Sequence, residues 1–139
     1  MKRTASLNQF VVEQMNHLLT TLAFAAHRAS KKPGPDEIHD LRVSIRRFTQ
    51  GLLLFPDFFP KWEVKKIKRM LKRMMRLTSE IRNRDIALEF LHRLEATAHR
   101  QRLQRERTEY QRQFEEMVRR WSARDFSAKW RNRLSLSNL

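Results

Sequence analysis

The chain has 139 residues, 40% of them apolar, enough for one domain with a real core. Two glycines and four prolines leave little punctuation for strands and hairpins, and the absence of cysteine excludes a disulfide framework and a thiolate zinc site. The 30 Lys+Arg against 15 Asp+Glu give +15 at pH 7, which points to a polyanionic partner: nucleic acid, an anionic membrane surface or another phosphate polymer.

The first segment carries Leu7, Phe10, Val11, Gln14, Leu18, Leu22 and Ala25 at helical spacing, which predicts a helix. Lys2 and Arg3 ahead of LLTTLAFAA imitate a secretory signal. Glu13, Gln14, Asn16 and His17 interrupt any apolar core region, however, and no stretch approaches transmembrane length. The expectation is a helix of a cytoplasmic protein with no membrane partner.

SKKPGPD at 30–36 is a loop, with Asp36 as the expected N-cap of the next helix. On a wheel of about 100° per residue, Leu41, Ile45, Phe48 and Leu52 form one stripe of that helix. His39, Arg42, Arg46 and Gln50 form a second stripe on the opposite side, with Arg47 at its margin. FPDFFPK at 55–61 is a turn, and Pro60 suits the first turn of a third helix. That helix has Val64, Ile67, Leu71, Met74, Met75 and Thr78 on its core side. Lys65, Arg69, Lys72 and Arg76 lie in a row opposite, flanked by Lys66, Lys68 and Arg73, with Glu63 the only acid nearby.

EIRNRD at 80–85 reads as a softer break, with Asn83 a possible N-cap. From Asp85 to Trp121 neither Pro nor Gly occurs, so this stretch is one long helix or two broken near Ala96–His99, where apolar spacing weakens. WSARDFS at 121–127 is the last turn, and nothing alternates with period two for long enough to make a strand. The expected fold is all-α: an antiparallel helical bundle of about four to six helices in a single domain.

The charge is concentrated. Residues 38–84 hold 13 Lys+Arg against 4 Asp+Glu. In RQRLQRERTEYQRQFEEMVRR at 100–120, by contrast, Glu106, Glu109, Glu115 and Glu116 are interleaved with arginines, as on an ordinary solvated helix. The row at 65–76 lacks such compensation, and like charges one turn apart repel by a few tenths of a kcal/mol per pair. Folding gains nothing from that row, whereas an anionic ligand would.

His39, in register with Arg42 and Arg46, can donate a ring N–H to a phosphate oxygen; the plain alternative is a neutral, solvated side chain. A metal reading with Glu37 and Asp40 is weak, because adjacent helical positions point apart and no HxxxH pair exists. His17, His27, His92 and His99 read as solvent or core-edge residues. No GxxxxGK[ST] loop, no HExxH and no nucleophile with a paired base occurs, so neither an enzyme nor a cofactor is expected.

EIHDLRVSIRRF at 37–48, followed by LKRMMRLTSEIRNRDIALEFL at 71–91, resembles the CHAD domain, the conserved-histidine α-helical domain. The resemblance covers about residues 5–120 and leaves 121–139 as an extension or the start of a second half. It implies two similar four-helix bundles related by a pseudo-two-fold, with basic helices around a positively charged cavity, and binding of inorganic polyphosphate, with an association with polyphosphate granules. Carried over residue by residue, the family's histidine falls on His39 and its arginines on Arg42, Arg46 and Arg47. The basic third helix supplies Lys65, Arg69, Lys72, Arg73 and Arg76, and the family's RD pair falls on Arg84 and Asp85. Ser79 stands where a glycine is common. Only one bundle's worth of sequence is present, so the chain is either a fragment or half of a homodimer that rebuilds the pseudo-two-fold. The triphosphatase domain often joined to this family, with its ExExK string, has no counterpart here.

The resulting expectation is a binding module for inorganic polyphosphate. A nucleic-acid-binding or RNA-associated protein is the alternative, although the basic rows offer only Gln50 and Trp62 for base contacts. Tyr110, Phe114, Met117 and Trp121 form a packing stripe that serves either a second copy or the chain's own core, with Phe58, Phe59 and Trp62 as further candidates to cover an exposed face.

Overall fold

The computed structural model describes residues 5–123 and 125–136; Lys2 and Arg3 lie outside them. Five α-helices account for most of these: α1 (Ala5–Lys31), α2 (Pro35–Leu54), α3 (Lys61–Leu91), α4 (Thr97–Ala123) and α5 (Phe126–Arg133). A single 3-10 turn at Pro56–Phe58 joins α2 to α3, and no strand occurs among the described residues. The protein is an all-α bundle. α1 packs on α2, α3 packs on α4, and the two pairs meet along α2–α3 and α1–α4.

Helix starts follow local chemistry. Pro35 occupies the first turn of α2, where its missing N–H costs nothing, and Gly34 is the N-cap. Asp36, expected as the cap, sits instead one residue inside, where it and Glu37 face the positive helix end. Pro60, expected in the first turn of α3, is that helix's N-cap, in extended conformation.

The core stripe of α1 is Val11, Met15, Leu19, Leu22, Ala26 and Ala29, all essentially inaccessible. The expected stripe is therefore rotated in part: Phe10 and Gln14 are exposed and Leu18 is only half-buried. Periodicity sets the spacing of a stripe, but its phase is chosen by the partner helix. In α2 and α3 the expected residues are buried, except that Val64 and Met75 are half-buried. Gly51 leaves room for the Met15 side chain of α1, since a Cβ there would come 2.5 Å from the Met15 sulfur.

The break expected at 80–85 does not occur: α3 runs through it to Leu91. Asn83 is an exposed residue inside the helix and caps nothing. Ile81 is fully buried, and the carboxylate of Asp85 accepts a charge-assisted hydrogen bond from Arg107 of α4, so tertiary contacts carry the helix across a polar stretch. The chain turns instead at 92–96, which resolves 85–121 into the end of α3 and a separate α4.

The C-terminal segment closes the bundle. Asp125 adopts a left-handed conformation (φ 44°) and caps α5, its side chain accepting from the Ala128 N–H. α5 then delivers Phe126 and Trp130 onto Trp121, and Trp130 stacks on Phe48 of α2 with ring centroids 6.0 Å apart. Leu134 and Leu136 are buried as well, and Asn16 of α1 donates to the Leu136 carbonyl at 2.9 Å. The stripe on α4 serves this core: Phe114 and Trp121 are buried, and Tyr110 and Met117 pack against it.

Candidate functional site

Between α2 and α3 runs an open groove of about 540 Å³. Its floor is Ile45, Leu71 and Met75, and its banks are Arg46, Thr49 and Gln50 from α2 and Lys65, Lys68, Arg69 and Lys72 from α3. Successive side chains on one helix face are three or four residues apart, so Lys65 and Lys72 stand about 10 Å apart along the axis. No carboxylate lines the groove, and none of its five cations has an ion pair among the described residues. Along α4, by contrast, Arg112 pairs with Glu109 at 2.7 Å and with Glu116 at 3.5 Å, and Arg120 pairs with Glu116 at 2.6 Å. The compensation visible in one part of the sequence and missing in the other is thus present in space.

The remaining residues singled out by the sequence do not all join this groove. Arg42 is buried, and its Nη1 donates to the Met75 carbonyl at 2.8 Å and to the Thr78 hydroxyl at 2.9 Å. It is a bolt between α2 and α3 beneath the groove's end, where the sequence placed it in the solvent-facing row. Burial lowers its pKa from the usual guanidinium value, and the nearby charges of Arg46 and then Arg82 add to that. Arg84 is likewise turned into the bundle. It pairs with Glu80, approaches Glu106 at 3.8 Å and lies 4.7 Å over the Tyr110 ring. Its neighbour Asp85 pairs with Arg107, so the Arg84–Asp85 string clamps α3 to α4.

His39 is exposed two turns before Arg46 on the same face of α2, and Arg47 is exposed but does not line the groove. Asp40 beside His39 pairs with Arg28 of α1 at 3.7 Å, and Glu37 is buried against Gly34. Arg76, although in register with Lys65, Arg69 and Lys72, lines a different cavity on the α4 side together with Arg73. The single row seen on the wheel is therefore divided between two sides of α3.

One cation belongs with the groove and was not counted in its row from the sequence. Lys68 read as a flank, but α2 passes on its side and makes it part of the bank. Arg82, exposed one turn beyond Thr78, does not line the groove; it lines a separate hollow with Pro35, Ile38, Asp85 and Glu89.

No helix among the described residues is long and apolar enough to cross a membrane. No curated protein and no solved structure matches this chain. The family model of the CHAD domain, however, matches residues 14–138, and with nearly the whole chain so covered, this protein belongs to the CHAD-domain family.

Proposed function

We propose that the protein binds inorganic polyphosphate, or a closely similar phosphate polyanion, in the α2–α3 groove, and that it is a binding module and not an enzyme. The observation that carries this reading is the set of five cations, Arg46, Lys65, Lys68, Arg69 and Lys72, that line one groove with neither an ion pair nor a neighbouring carboxylate in it among the described residues. A flexible chain of phosphates asks for such a line of positive charge and for no base-specific contact. Arginine offers it a fork of donors and lysine a compact point charge. The CHAD family is associated with polyphosphate binding in general, which supports the same conclusion. The cytoplasm, at polyphosphate granules, is where such a module would act. Pairing of two copies to restore the family's two-bundle arrangement belongs to this proposal too.

Among the described residues the groove presents Gln50 as its only amide and no aromatic side chain on which a base could stack, which places nucleic acid second. Competition between long polyphosphate and single- and double-stranded DNA at fixed salt is the test, repeated across a salt series. Polyphosphate should win, and log K should fall linearly with log salt as condensed counterions are released. A flat salt response, or displacement of polyphosphate by DNA at equal phosphate concentration, would reject the reading.

A further inference from the structure

At +15, most of this molecule's surface repels a second copy of itself. The C-terminal third of α3 and the turn after it do not. Residues 82–95 hold Arg82, Arg84 and Arg93 against Asp85, Glu89 and Glu95, a balanced set. The same stretch leaves Ile86, Phe90 and Leu94 in solvent, with Phe90 74% exposed. An amphipathic helix turns such side chains towards a partner, and no described residue covers these. Arg82 and Glu89 are exposed as well, and neither has an ion pair among the described residues.

Arg82, Ile86, Glu89 and Phe90 fall on one flank of α3. Arg82 and Glu89 stand about 10 Å apart along the axis, too far to pair with each other, with Ile86 between them. Such a face complements itself. Turned about a two-fold axis beside Ile86, α3 of a second copy runs antiparallel, and Arg82 of each copy meets Glu89 of the other. Ile86 meets its own counterpart. Phe90 comes level with residue 82 of the other copy, beside the hollow of about 290 Å³ that Ile86 lines with Pro35 and Ile38. The balanced charge gives a polyanion or an anionic bilayer nothing to hold. The exposed Leu53, Leu54 and Trp62, at the opposite end of α3, differ in this respect. They lie among Lys61, Lys65, Lys66 and Lys68, and a second copy would bring the same lysines against them. We propose that the C-terminal third of α3 is the contact through which two copies of this chain pair, antiparallel about a two-fold beside Ile86. This gives a surface to the pairing of copies proposed above. None of its residues lines the polyphosphate groove, so pairing and polyphosphate binding stand or fall separately.

A few apolar side chains and two reciprocal ion pairs make a small interface, so a Kd of about 1–100 µM is expected. Sedimentation equilibrium of the full chain, without polyphosphate, should show the mass rising from 16.9 kDa towards twice that value as the concentration passes through this range. Arg82→Glu should weaken pairing about tenfold or more, because both ion pairs become like-charge contacts, and Glu89→Arg should do the same. The two changes combined exchange the signs and restore the complementarity, so pairing should return to within a few-fold of the unchanged chain. Ile86→Ser with Phe90→Ser should abolish it. All four side chains are exposed, so circular dichroism should stay as it is. Leu54→Ser with Trp62→Ser, and Lys68→Gln with Arg69→Gln in the groove, should pair like the unchanged chain, whatever they do to polyphosphate binding. A monomer mass at every concentration would overturn the proposal. So would a dimer insensitive to Arg82→Glu, a double exchange that stays weak, or a dimer lost through Leu54 and Trp62 instead.

Discussion

At the scale of single residues, position in space decides what an arginine does. Arg42 and Arg46 are four residues apart on one helix, yet one is consumed by Met75 and Thr78 while the other is left unpaired at the groove. Arg42→Met should therefore cost stability, about 1–2 kcal/mol, by leaving buried acceptors without their donor, and should show as a lowered melting temperature. Arg46→Gln should leave melting unchanged and weaken polyphosphate binding several-fold. Equal melting temperatures for the two variants would show that the Arg42 bolt contributes nothing. His39→Ala should weaken binding less than Arg46→Gln, because an imidazole offers one donor where a guanidinium offers a fork and a full charge. A larger loss at His39 in the same titration would assign the histidine a chemistry of its own. The arginines on the basic helices were legible as a group. Their separate duties were not, because a hydrogen bond from residue 42 to residue 78 depends on where α3 crosses α2.

At the scale of elements, α3 and α4 carry four acids each, but those of α3 lie outside its 65–76 row whereas those of α4 are interleaved with its arginines. Replacing Lys65, Lys68, Arg69 and Lys72 by Gln should reduce polyphosphate affinity by about a hundredfold or more at moderate salt, with helicity unchanged. Replacing Arg102, Arg105, Arg112 and Arg119 on α4 removes the same charge and should change affinity by only a few-fold. Filter-binding isotherms for the two variants decide the matter, since equal losses would mean that net charge matters and the groove does not. The contact between α1 and α2 makes a further prediction. Gly51→Ala gains about 1 kcal/mol of helix propensity but drives a methyl group into the buried Met15 side chain. Overpacking of that kind costs about 1–3 kcal/mol, so a net destabilisation of about 1 kcal/mol is expected in denaturant unfolding. A stabilised variant would mean that Met15 has room to move.

For the whole molecule, the bundle is completed from its C-terminal end. Trp130 is almost inaccessible, stacks on Phe48 and touches Trp121 and Phe126, so it joins α5 to α2 and α4. Trp130→Ala should cost about 3–5 kcal/mol, a large fraction of the stability of a small domain, and thermal melting should show it directly. A loss below about 1 kcal/mol would mean that α5 only rests on the bundle.

What was legible from the sequence alone is what local rules govern. Apolar residues at a period of 3.6, with few Gly and Pro, make helices whatever their partners, and the all-α bundle follows. Charge counts are local too, so the contrast between 65–76 and 100–120 could be read before any contact was known. Tertiary structure decided the rest. Ile81, Asp85 and Arg107 carry α3 through a stretch that locally resembles a break. Packing divides one row of cations into a groove on the α2 side and a rim on the α4 side. It also turns Trp121, Phe126 and Trp130 into the cap of a core that begins more than a hundred residues earlier. These outcomes depend on the relative phase and crossing of helices distant in the chain, and no periodicity within one helix specifies which neighbour its side chains will meet.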